Sequence, residues 1–126
     1  MRIYAAIYFA FQGIAGAGWW ILMVLVPAVQ GHFLPDELTG ALYSALLVTD
    51  TTVFVMGSLV ASAAIWTKTP WHVPIVWMVS GGTVYATLFT VAACALTGVG
   101  TIGAGLMTVA TVFCLFFAWR LWRVGP

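Results

Sequence analysis

LTGALYSALLVTDTTVFVMGSLVASAAIW, residues 38–66, is an apolar stretch that contains one charged residue, Asp50. At ~1.5 Å per residue, a helix needs about 20 residues to cross a bilayer core of ~30 Å. The stretch is longer than that minimum and longer than the core of a soluble domain requires. It therefore predicts a transmembrane helix with a carboxyl group in its interior.

Three further apolar stretches of similar length flank this one, at residues 3–29, 75–96 and 101–122. Short connections with Gly or Pro separate them, and short connections imply antiparallel neighbours. Only 6% of the 126 residues are charged, against about a quarter in soluble proteins. We predict an all-α fold, a polytopic integral membrane protein in which residues 1–126 form a single antiparallel bundle of four transmembrane helices.

The basic residues all fall on one side of the membrane if the four spans alternate in direction. They are Arg2 before the first span, Lys68 between the second and third, and Arg120 and Arg123 at the end of the fourth. In membrane proteins the cytoplasmic loops carry the excess of Lys and Arg. We therefore predict a multi-pass protein of the cell membrane with both termini in the cytoplasm.

Several classes of function are disfavoured by composition and motifs. A net charge of +1 provides no basic patch for phosphates, so we expect no nucleic-acid partner. The metalloprotease, serine hydrolase, dithiol and phosphate-loop motifs are missing, and no catalytic residue is predicted. Cys94 and Cys114 lie at different depths in their spans, and we predict that no disulfide joins them.

Metal and haem sites are also disfavoured. His32, Asp36 and Glu37 share the connection after the first span, but their spacing matches no established ligand pattern and Pro35 interrupts any common helical face. His32 and His72 fall on opposite sides of the membrane, so they cannot both ligate one haem. We predict no haem and no structural metal.

Asp50 is the strongest indication of a site. It lies near the middle of its span, where a carboxylate is costly and usually faces the bundle interior, a cavity or a partner. The four basic residues lie at or beyond the cytoplasmic boundary of the membrane, too far from Asp50 for an ion pair. Three states remain: a neutral acid, which desolvation favours, an ionised acid with a bound cation or ligand, and an ionised acid paired with a basic group of another chain.

Five side chains share the depth or the helix face of Asp50, and we predict that they line a site for a proton, a cation or a cationic substrate: Tyr43, Thr49, Thr51, Trp19 and Trp20. Four residues of the third and fourth spans have a similar depth: Thr87, Thr90, Thr111 and Cys114. Gln12 of the first span carries an uncharged amide, which more often bonds neighbouring helices together than forms a site.

Three functions fit these features. The one we favour is a non-catalytic interaction or accessory subunit of a membrane assembly, because the loops are short and small residues that allow helices to pack closely are frequent. The second is a homo-oligomeric transporter or channel that uses Asp50. The third is a small membrane enzyme that acts on a lipid or sterol with Asp50 as acid or base. The expected partners are the lipid bilayer and either further copies of the chain or larger membrane subunits.

Overall fold

A computed structural model describes residues 1–33 and 40–124, and this part of the chain is helical, without a strand. The α-helices are α1 (Arg2–Leu25), α2 (Gln30–Phe33), α3 (Ala41–Asp50), α4 (Gly57–Trp66), α5 (His72–Thr97) and α6 (Thr101–Val124). A 3₁₀ turn, Pro27–Val29, follows α1, and a π-helix, Thr51–Met56, connects α3 to α4 without a break. We call this π-helix the π segment.

Four helices are long and apolar enough to cross a membrane: Arg2–Leu25, Ala41–Trp66, His72–Thr97 and Thr101–Arg123. The predicted all-α, four-helix membrane fold is thereby confirmed. The second of these helices consists of α3, the π segment and α4. The predicted start of this span at Leu38 lies outside the described residues.

Two helix ends differ from the predicted spans for reasons of backbone chemistry. The first helix ends at Leu25 rather than at Val29, because proline at position 27 forces the preceding residue out of the helical conformation. Val26 accordingly has φ −127° and ψ 77°. The third span, α5, extends to Thr97 rather than Leu96. It is closed by Gly98 in the left-handed conformation, at φ 73°, which glycine adopts without steric cost.

The helices pack as two antiparallel pairs. α1 lies along α4, α5 lies along α6, and a contact between α4 and α5 joins the pairs. The main apolar core belongs to the half of the bundle that contains the start of α1 and the end of α6. Its largest fully buried side chains are Phe9, Val76, Val79 and Leu121.

The π segment lies in the middle of the second span, between close-packed glycines of α1 and α5. A Cβ added at Gly82 would lie 2.5 Å from Val53, and one added at Gly16 would lie 3.0 Å from Phe54. A π turn is wider than an α turn, and glycines stand where Val53 and Phe54 of the π segment meet α5 and α1. These glycines provide the space that the wider turn needs.

The other half of the bundle is more open. No residue of α3 is buried, whereas α4 on the far side of the π segment buries Gly57, Ser58, Ala61, Ala64 and Ile65. The second span is therefore loosely packed in α3, before the π segment, and firmly packed in α4, after it. Asp50 lies at this boundary.

Candidate functional site

The carboxyl group of Asp50 is held by an indole of the neighbouring helix. Asp50 is the last residue of α3, and its Oδ2 accepts a hydrogen bond of 2.7 Å from Nε1 of Trp20 on α1. Asp50 is half-buried and Trp20 is buried. Within residues 1–33 and 40–124, this indole is the only hydrogen-bond donor to the carboxyl group, and no basic side chain pairs with it.

Tyr43 lies on the same side of α3 and packs against the same indole. Its ring meets that of Trp20 edge-on, with centroids 5.9 Å apart. The Tyr43 hydroxyl is buried and has no hydrogen-bond partner in the described part of the chain. Two of the predicted neighbours, Trp20 and Tyr43, thus meet beside Asp50, and the cluster contains an unused hydrogen-bonding group.

The other three predicted neighbours form no hydrogen bond with the Asp50 carboxyl group in the described chain. Thr49 is exposed, and its hydroxyl donates to Ala45 O of its own helix at 2.9 Å. Trp19 packs on the ring of Phe33, with centroids 4.0 Å apart. Thr51, the first residue of the π segment, lies in the wall of a groove that Trp20 also lines.

This groove runs between α1 and the second span and is open on one side, with a volume of about 370 Å³. We call it the lateral groove. Its lining is almost entirely apolar: Ala17, Trp20, Ile21, Val24 and Leu25 from α1, and Leu47, Thr51 and Val55 from the second span. The indole of Trp20 therefore faces the groove and donates its N–H to Asp50, so that the acid lies directly behind one groove wall.

A second polar cluster lies in the centre of the bundle and differs from the Asp50 site. Gln12 Nε2 donates to Ser58 Oγ at 2.9 Å, and Gln12 Oε1 accepts from the Cys114 thiol at 3.1 Å. The same thiol lies 3.8 Å from both Tyr8 Oη and Thr83 Oγ1. These groups satisfy one another across α1, α4, α5 and α6, which is the arrangement of interhelical hydrogen bonds that hold a bundle together.

The threonines predicted at the depth of Asp50 belong to the pairing of α5 with α6. Thr87 and Thr111 hydrogen-bond to each other at 2.6 Å, and Thr90 donates to Ala86 O within α5. Ser58, Thr83 and Tyr8 also belong to the polar cluster in the centre of the bundle, and the sequence alone does not predict this. The sequence position of a polar residue in an apolar span predicts its depth in the membrane. It does not predict which neighbouring helix the side chain contacts.

Cys94 and Cys114 are free, in agreement with their different depths. Within the described ranges 1–33 and 40–124, no group of three His, Cys, Asp or Glu side chains is arranged to hold a metal ion. The prediction for the outer connection depends on Asp36 and Glu37, which lie outside those ranges, and it stays a prediction.

Comparison with known protein families, curated proteins and solved structures finds no match for this chain. The molecule is therefore defined by its own fold and site. It is a small multi-pass membrane protein with four membrane-spanning helices. Its one acid within the described spans lies behind the wall of an open groove.

Proposed function

We propose that this protein is a non-catalytic interaction subunit of a membrane assembly, and that a transmembrane helix of a larger membrane subunit docks in the lateral groove. The shape of the groove supports this proposal. Its walls are rows of side chains one helical turn apart: Ala17, Ile21 and Leu25 on α1, and Leu47, Thr51 and Val55 on the second span. Rows with this spacing form the ridges and grooves into which a third helix packs.

The polar groups beside the groove favour a protein partner over lipid tails. The Tyr43 hydroxyl is buried without a hydrogen-bond partner in the described chain, and the Asp50 carboxyl receives one hydrogen bond there. A carboxylate accepts several hydrogen bonds, and acyl chains donate none. Asp50 is half-buried, and we expect a polar side chain of the partner helix to donate a further hydrogen bond to its carboxyl group.

The proposed orientation places both termini in the cytoplasm of a cell that carries this protein in its surface membrane. It is supported by the one-sided distribution of Arg2, Lys68, Arg120 and Arg123. With this orientation, the lateral groove opens in the outer half of the bilayer.

A second candidate function is a homo-oligomeric transporter for a cation. The observation in its favour is the juxtaposition of the Asp50 carboxyl with the rings of Trp20 and Tyr43. Aromatic faces and a carboxylate together bind organic cations. The third hypothesis, a lipid-directed enzyme, has less support, because no second acid or base hydrogen-bonds to Asp50 within the described residues.

Site-specific photo-crosslinking in cells tests the proposed function. A photoreactive phenylalanine analogue replaces Ile21 in the lateral groove or Leu106 on α6, which are 59% and 55% exposed. We expect one defined adduct with another membrane protein from position 21 and none from position 106. The substitution Leu47→Trp, which fills the groove, is expected to reduce the adduct.

Other results of the same experiment count against the proposal. An adduct between two copies of this chain, lost with Leu47→Trp, favours the homo-oligomeric transporter. Equal crosslinking from positions 21 and 106, or crosslinking to lipid alone at both, contradicts a docking function of the lateral groove.

A further inference from the structure

The line of contact between the start of α1 and the end of α6, which we call the α1–α6 crevice, has features of a second binding site, at the end of the bundle away from the lateral groove. Aromatic side chains fill the space between these helices. Tyr8 donates to Ala110 O at 3.0 Å, and its ring lies 5.6 Å from that of Phe113 and 5.1 Å from that of Phe117. These contacts fix the relative heights of the two antiparallel helices.

Helical rise from this contact brings the backbone positions of two arginines to a similar height. Arg2 lies about 9 Å before Tyr8 along α1. The same distance along antiparallel α6 ends near Arg120. Arg2 and Arg120 therefore both lie at the end of the bundle that contains the start of α1 and the end of α6.

Arg120 has a hydrogen-bond donor that is not satisfied within the described chain. Its Nε is buried and has no hydrogen-bond partner there. Arg123, one turn further along α6, places its guanidinium 5.3 Å from the centre of the Trp119 ring. The two arginines thus differ, since one interacts with an aromatic face and the other has a buried donor with no acceptor.

The sequence provides no acidic side chain for this end of the bundle. Its three acidic residues, Asp36, Glu37 and Asp50, belong to the connection after α1 and to the second span. None of them lies in the segments that carry the four Lys and Arg residues. Asp50 is the one acidic residue of the described ranges 1–33 and 40–124, and its carboxyl group is held by Trp20, so no acidic side chain pairs with Arg120 there.

We propose that this crevice binds the phosphate of an anionic phospholipid, with Arg120 as the principal ligand and Arg2 as a second source of positive charge. The position at the end of the spans matches the depth of lipid headgroups, and basic pockets between transmembrane helices bind such headgroups. An acyl chain is accommodated beside Tyr4 and Phe113, which are 69% and 47% exposed. Guanidinium groups bind phosphate oxygens through paired N–H donors.

Native mass spectrometry of the purified full-length chain tests this proposal. The protein is exchanged into mild detergent with phosphatidylglycerol or with phosphatidylcholine, and the fraction that keeps a bound lipid is measured. We expect phosphatidylglycerol to be retained at least about fivefold better, the effect of about 1 kcal/mol per basic residue near the membrane surface. Arg120→Gln is expected to abolish this preference, and Arg123→Gln and Lys68→Gln to keep it.

Arg120→Lys keeps the charge but loses the paired donors, and we expect it to retain only part of the preference. This variant decides the question if Arg120→Gln does not fold. Equal retention of the two lipids, or equal losses from Arg120→Gln and Arg123→Gln, overturns the proposal. Complete displacement of the lipid by millimolar inorganic phosphate also overturns it, because the site then binds a free anion. None of these results depends on the lateral groove.

Discussion

The two polar side chains Asp50 and Gln12 lie in comparable apolar helices, and their surroundings explain different roles. Gln12 is 5% exposed, and its amide both donates to Ser58 and accepts from Cys114. Asp50 is half-buried, and the indole of Trp20 is its one hydrogen-bond donor in the described chain. A polar group satisfied within the bundle stabilises the bundle, whereas one with spare acceptor capacity is available to a partner.

Substitution of Asp50 by Asn or by Leu separates these roles. Asn keeps an oxygen that accepts from Trp20 but cannot ionise, so we expect unchanged yield, melting and assembly. Leu leaves the buried indole N–H without an acceptor, and we expect a loss of about 1 kcal/mol of stability together with weaker assembly. The measurements are detergent melting and the mass of the complex purified in mild detergent.

The Asn variant also distinguishes the candidate functions. Loss of cation transport with normal folding favours the homo-oligomeric transporter, because transport requires an acid that ionises. A Leu variant with wild-type yield, melting and assembly means that Asp50 has neither a structural nor a binding role.

The sequence predicted part of this site. Tyr43 precedes Asp50 by about two helical turns and therefore shares its face, and the structure places it beside Trp20. Thr49 and Trp19 were predicted from proximity in sequence or in depth. One step along a helix rotates the side-chain direction by about 100°. Thr49 therefore points in a different direction from Asp50, and Trp19 in a different direction from Trp20.

At the level of helices, the π segment depends on its glycine neighbours. Gly82 faces Val53 at a distance that leaves no space for a methyl group, whereas a methyl group at Gly81 would meet nothing within 4 Å. We expect Gly82→Ala to destabilise the protein by about 1 to 3 kcal/mol through overpacking. The adjacent Gly81→Ala is the matched control, and we expect it to be neutral or stabilising by up to about 1 kcal/mol.

Detergent melting of the two variants and of Gly82→Ala combined with Val53→Ala checks this explanation. The second substitution removes the side chain that the new methyl group contacts, so it should recover part of the lost stability. Equal melting of Gly81→Ala and Gly82→Ala would show that the π segment adapts without cost.

The turn after α4 contains a backbone conformation that favours glycine. Lys68 has φ 56°, and hydrogen bonds from Thr69 N to Ala64 O and from Lys68 N to Ile65 O close the helix end. Glycine usually occupies this left-handed position. We expect Lys68→Gly to melt at or above the wild-type temperature and Lys68→Val to lose about 1 to 3 kcal/mol. Melting temperatures in the opposite order would contradict the conformation.

For the helices, the sequence predicts existence better than detail. Apolar length identified all four spans, because hydrocarbon requires a continuous apolar helix. The π segment was not predicted, since its backbone depends on glycines such as Gly16 and Gly82 of other helices. The loose packing of α3 was not predicted either, because its composition resembles that of a buried span.

For the whole molecule, the same limit applies to the arrangement of helices. Alternating spans and short connections predict an antiparallel bundle, and the Gln12–Ser58 and Thr87–Thr111 bonds show the pairing of α1 with α4 and of α5 with α6. Composition alone does not distinguish a side chain that faces lipid from one that faces another helix, because both are apolar. The lateral groove is formed by α1 and the second span together, so the sequence pattern of one helix does not predict it.

The orientation of the whole molecule gives the last prediction. The ends of α1, α4, α5 and α6 near Arg2, Lys68 and Arg120 lie at one end of the bundle, and the turn at Gly98 lies at the other. Since basic residues remain in the cytoplasm during insertion, a fluorescent protein fused at the C-terminus should fold and fluoresce. Alkaline phosphatase should be inactive at the C-terminus and active after Gly98, where the chain reaches the opposite side. Active phosphatase at the C-terminus would show that the orientation is the reverse of the predicted one, with the α1–α6 crevice in the outer leaflet.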